Sequence, residues 1–61
     1  MDRRERINQL KEERANLYDR ARDIDDGAAA AHRDYSADDR RELDEIQGSI
    51  SDLSLAVAQL L

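Results

Sequence analysis

The stretch LDEIQGSISDLSLAVAQLL, residues 43–61, carries the clearest helical pattern in the chain. Within it Leu43, Ile46, Ile50, Leu53, Val57 and Leu60 follow one another at steps of three, four, three, four and three. A helix turns once in about 3.6 residues, so this alternation lays all six on one stripe, in the manner of a coiled-coil seam. Burying one Leu, Ile or Val side chain stabilises by roughly 1.5–3 kcal/mol, so a stripe of six calls for a partner surface. The rest of the chain reads as partner, connector or solvated coat for that stripe.

The partner lies upstream. Ile7, Leu10, Leu17, Ala21, Ile24, Ala28 and Ala31 keep the same three-four alternation, with Arg14 in the one polar slot. A first helix is expected over about residues 3–32. Asp2 suits its N-cap, because a carboxylate can accept from the unpaired amides of the first turn. Glu5 stands three residues on, at capping-box spacing, and Asp2 with Arg6 makes an i,i+4 pair. Asp25-Asp26-Gly27 resembles a stop, since Gly often follows a helix end. The helix is nevertheless read through it. Three acidic residues there would oppose the helix dipole, and the alanines beyond Gly27 are the best helix formers. Gly27 leaves a weak point, worth about 1 kcal/mol against Ala. Arg14 is expected to pack its stem in the seam and extend its guanidinium to water or to Asp52.

Residues 33–35 form the connector. His32 and Arg33 suit a helix C-terminus, where their donors can meet the last carbonyls. Ser36 then opens the second helix, expected over about 37–60, as a preferred N-cap with Asp38 and Asp39 in the favourable first turn. Its Ser-x-x-Asp spacing approximates a capping box. A short link between two long amphipathic helices predicts an all-α fold: an antiparallel, coiled-coil-like two-helix hairpin that oligomerises into a helical bundle. Counting back from the connector sets Ile24 near Leu43 and Ile46, Leu17 near Ile50 and Leu53, and Leu10 near Val57. Each helix should measure roughly 35–45 Å at 1.5 Å per residue. Gly48, on the polar side of the second helix, is either a weak spot or a place where another backbone comes close.

Length and composition bound the remainder. Sixty-one residues make one small domain of marginal stability alone, which disulfides, metals or oligomerisation usually remedy. There is no Cys, and the single His32 cannot build a closed metal site, so self-association is the expected remedy. The absence of Cys also makes an intracellular setting the simpler expectation. Charged residues are 41% of the chain, with ten basic residues interleaved among fifteen acidic ones for a net charge of −5. No cationic face emerges, so neither nucleic acid nor an anionic membrane is an expected partner. No run of about 18 apolar residues could span a bilayer, and the charged start, Met1 to Arg6, is not followed by the apolar stretch of a secretory signal. Proline is absent and glycine occurs twice, a helical composition.

No enzyme is expected. The paired carboxylates Glu12-Glu13, Asp25-Asp26, Asp38-Asp39 and Asp44-Glu45 would need a concave, partly dry site to perform acid–base chemistry. A two-helix hairpin offers none. Asp25-Asp26-Gly27 lacks the oxygen spacing of a calcium loop, and Ser49, Ser51 and Ser54 have no neighbouring base. No catalytic residue, cofactor, metal or small-molecule substrate is therefore expected. The candidate functional residues are apolar: Ile7, Leu10, Leu17, Ala21, Ile24, Leu43, Ile46, Ile50, Leu53, Val57 and Leu60 along the seam, with Leu55 and Leu61 beyond it. Leu55 falls opposite the seam, while Ala56, Ala58 and Leu61 widen the stripe. A hairpin occupies one stripe per helix, so Leu55 is expected to meet another copy.

The order of motifs also resembles a known family. Ile7-x-x-Leu10-x-x-Glu13-Arg14-Ala15-x-Leu17 leads into Ala21-Arg22-x-Ile24. Tyr35-Ser36-Ala37-Asp38-Asp39 follows, then Leu43-Asp44-Glu45-Ile46 and a closing Ile50-x-x-Leu53. Together they resemble the N-terminal delta, or scaffolding, domain of tailed-phage major capsid proteins of the HK97-like fold. His32 stands where that family often carries Gly, and Gly27 interrupts a stretch usually more helical. The resemblance implies a structural role: association with other copies on the inner face of the immature shell, guidance of capsid assembly, and removal by a maturation protease. It implies a location in the host cytoplasm and the prohead interior. The competing expectation is a small coiled-coil adaptor that binds a helix of another protein.

Overall fold

A computed structural model of the chain describes residues 2–61. It holds two helices, α1 (Arg3–Ala30) and α2 (Ala37–Leu60), packed along each other, with no strand among the described residues. Three side-chain links run in opposite order along the two helices: Arg14 to Ser54, Arg20 to Glu42, and Asp25 to Tyr35 in the connector. The hairpin is therefore antiparallel, in the register obtained by counting back from the connector. Its extents are 45 × 16 × 14 Å, the longest being the length of α1.

The two stripes face each other. Leu10 and Ala28 of α1 and Ile46 and Val57 of α2 are buried. Ile7, Leu17, Ala21, Ile24, Leu43, Ile50, Leu53 and Leu60 are half-buried. Two cylinders touch along one line, so each seam residue is covered by the opposite helix and remains open at its flank. The widened stripe expected at the end of α2 is only partly formed. Ala56 is half-buried, whereas Ala58 and Leu61 are exposed, because a single facing helix covers no more than the seam.

The ends explain the boundaries. At the start of α1, Asp2 Oδ1 accepts from the Arg4 amide at 3.3 Å. The expected Asp2–Arg6 pair does not form, because the Arg6 guanidinium donates to Gln9 Oε1 at 3.1 Å. The helix continues through Asp25-Asp26-Gly27 and stops at Ala30, two residues short of the expected end. There His32 takes φ 51°, the left-handed conformation. Its amide donates to the Ala29 carbonyl and the Arg33 amide to the Ala28 carbonyl, both at 3.1 Å, the paired bonds of a Schellman turn. Ala31 thereby becomes the exposed cap instead of a seam residue. The residues expected to meet the last carbonyls do so through backbone amides. At α2, Ser36 Oγ accepts from the Asp39 amide at 3.0 Å and Asp39 Oδ2 from the Ser36 amide at 3.2 Å, a complete capping box.

Candidate functional site

The connector is tied to both helices. Arg33 Nη1 donates to the Asp34 carbonyl at 3.0 Å and to Asp39 Oδ2 at 2.8 Å. The adjacent guanidinium, and then the Ser36 amide, hold the Asp39 carboxyl below the usual carboxylate range. The Tyr35 hydroxyl donates to Asp25 Oδ1, and that bond to a carboxylate raises the phenol above its ordinary value. Asp25, which reads in sequence as a charge against the helix dipole, is thus the acceptor that fastens the connector to α1.

Arg14 is half-buried in the seam, as a long side chain with an apolar stem permits. Its guanidinium donates to Ser54 Oγ at 3.1 Å instead of reaching Asp52. Ser54 flanks the seam on the side where Arg14 emerges, whereas Asp52 borders the opposite flank. Arg20 crosses to Glu42 at 2.6 Å on that same opposite flank. Arg20 is 60% exposed, so the pair is a solvated one of modest worth.

On the flank of Arg20 and Asp52 the helices leave an open groove of about 540 Å³. Leu17 and Leu53 are its apolar residues. Glu13, Asn16 and Arg20 rise on the α1 side and Ser49 and Asp52 on the α2 side. The groove follows from the residue sizes at that level. Ser49 is too short to bridge to α1, so the flanks of Leu17 and Leu53 stay uncovered. Spacing in the sequence identifies Leu17 and Leu53 as facing residues but does not show which side of the pair is open.

Leu55 lies on the outer face of α2, 61% exposed, and Leu61 at the helix end is 81% exposed. They belong to a segment of unusual composition. Of the 25 charged residues in the chain, only Asp52 falls within residues 47–61. A Cβ built on Gly48, seven residues before Leu55 on the same face, meets nothing within 4 Å. Among the described residues, then, no second backbone comes close to Gly48.

The other sequence-derived candidates are dispersed. Glu12, Glu13, Asp25, Asp26, Asp38, Asp44 and Glu45 lie on exposed faces, and no buried side-chain polar atom lacks a partner among the described residues. No group of three or more His, Asp or Glu could hold a metal ion among the described residues. No helix among them is long and apolar enough to cross a membrane.

No family model, curated protein or solved structure matches the chain.

Proposed function

We propose that this chain is a structural assembly module that associates with copies of itself through surfaces of the helical hairpin. The observation that carries the reading is the uncharged half of α2. Residues 47–61 hold one charge, Asp52, and expose Leu55 and Leu61, while the rest of the chain is densely charged. A solvated helix face ordinarily carries charge, and an exposed apolar one commonly marks a contact. The thin core supports the same reading, since chains of this size commonly rely on oligomerisation.

More specifically, we read the module as a delta, or scaffolding, domain of an HK97-like major capsid protein, acting on the inner face of the immature shell. The support is the motif order from Ile7-x-x-Leu10 through Tyr35-Ser36-Ala37-Asp38-Asp39 to Ile50-x-x-Leu53, carried on a long helical hairpin. On this reading the partners are other copies and, at maturation, a capsid protease. The setting is the host cytoplasm and prohead, and no reaction is catalysed by the chain.

Association links stability to concentration. The melting temperature should rise with chain concentration across the micromolar range. A melting temperature independent of concentration would favour an adaptor that waits for a helix of another protein. The capsid assignment is tested by the reading frame around the chain. A capsid subunit encoded downstream of Leu61 is the expected result, and an unrelated downstream sequence the opposing one.

A further inference from the structure

The open groove beside the seam specifies how two copies would meet. We propose that a second copy of this chain docks in it about a two-fold axis, with Glu13 of each copy facing Arg20 of the other across Leu17. The inference rests on the assembly reading and adds to it a contact separate from the outer face of α2 around Leu55.

Glu13 and Arg20 line the groove from α1, seven residues and about 10.5 Å apart on one face, with Leu17 between them. Opposite charges so spaced about a central apolar residue are self-complementary. A two-fold axis perpendicular to α1, midway between them, runs two α1 helices antiparallel and sets each carboxylate against the other copy's guanidinium. Arg20 is free enough to serve both contacts, being 60% exposed while it holds Glu42 of its own chain. Leu17 and Leu53 gain on docking the cover that the short Ser49 leaves missing. Counting from the Arg14–Ser54 bond, Asp52 stands level with Asn16, so the axis also brings Asp52 towards its own counterpart. That is one like-charge contact, and it gives the arrangement a distinctive signature.

The exposed area argues for a copy of this size as the occupant. The hairpin exposes 4796 Å², whereas a compact monomer of 7.0 kDa should expose about 4,000 Å². The surplus of roughly 800 Å² matches the area that each partner gives to a standard protein interface.

Charge swapping tests the arrangement, with native mass spectrometry and sedimentation of the 61-residue chain as readouts and circular dichroism reporting helicity. Glu13→Arg and Arg20→Glu alone should each weaken the dimer by roughly tenfold or more, because like charges then meet at both ends. An equimolar mixture of the two variants should recover a one-to-one heterodimer, and Asp52→Asn should tighten the dimer. Reversals that leave wild-type association unchanged would overturn the groove contact while leaving self-association intact. So would a mixture no tighter than its components. Loss of association on Leu55→Asp with no response to the reversals would place the contact on the outer face of α2. A wild-type chain that is monomeric throughout would overturn both this contact and the assembly reading.

Discussion

His32 ends α1 in a conformation that Gly adopts without cost, at φ 51°. For a residue with a Cβ the left-handed region costs roughly 1–2 kcal/mol, partly returned by the lower entropy of the unfolded chain. His32→Gly is therefore expected to stabilise the hairpin by about 0.5–1 kcal/mol, seen as a melting temperature several degrees higher by circular dichroism. A lower melting temperature would contradict the Schellman geometry. The connector also sets a pH profile. Asp39 is held below its ordinary range by Arg33 and the Ser36 amide, so its contribution is complete above the unfolded carboxylate value and fades as pH falls through the lowered folded one. Tyr35 is raised by its bond to Asp25, so its contribution is complete below about pH 10 and fades as pH rises through the raised folded value. Tyr35→Phe should remove the alkaline limb of a stability–pH curve and leave the acid limb. Persistence of the alkaline limb in that variant would show that the Tyr35–Asp25 bond does not cause it. Neither tie was legible in the sequence, because each joins a connector residue to a helix through a side chain whose direction depends on where α1 stops.

At the scale of the element, the seam was the most legible feature. Spacing alone selects Leu10, Ile46 and Val57, which are buried, and the half-buried residues between them. The periodicity works because a helix is rigid, so position in the heptad fixes direction. It fails at Ala31, where the chain leaves the helix, and at Ala58 and Leu61, where one facing helix cannot cover a wider stripe. Arg14 is the seam's polar interruption, held by one neutral partner, Ser54. Arg14→Leu should stabilise the hairpin by roughly 1 kcal/mol, because an apolar side chain gains burial where a charge paid desolvation. A fall in melting temperature would show that the Arg14–Ser54 bond matters more than the stripe. Leu53 and Leu55 divide the faces of α2. Leu53→Asp sets a carboxylate in the seam and should unfold the hairpin, at a cost of several kcal/mol. Leu55→Asp should keep the helical signal and weaken association. Loss of helicity in both variants would refute the division. Gly48→Ala should stabilise α2 by about 1 kcal/mol, since the added Cβ enters open space.

At the scale of the whole molecule, the hairpin is long and thin. Its radius of gyration is 14.1 Å, against about 10.5 Å for a compact chain of this length. That form follows from the sequence: two stripes long enough to pair along their whole length, with no third element among the described residues to fold across them. The same form leaves the flanks of Leu17 and Leu53 and the uncharged half of α2 open to water. Spacing alone set Leu55 on the outer face of α2, where it is exposed, whereas the groove needed the register and the size of Ser49 to become visible. Joining copies is the task we propose for these surfaces. Sedimentation equilibrium of the helical chain, from low micromolar to millimolar concentration, measures that claim directly. A reversible rise in average mass from one chain to two or more is expected. A constant mass of 7.0 kDa across the series, with the helical signal intact, would contradict it.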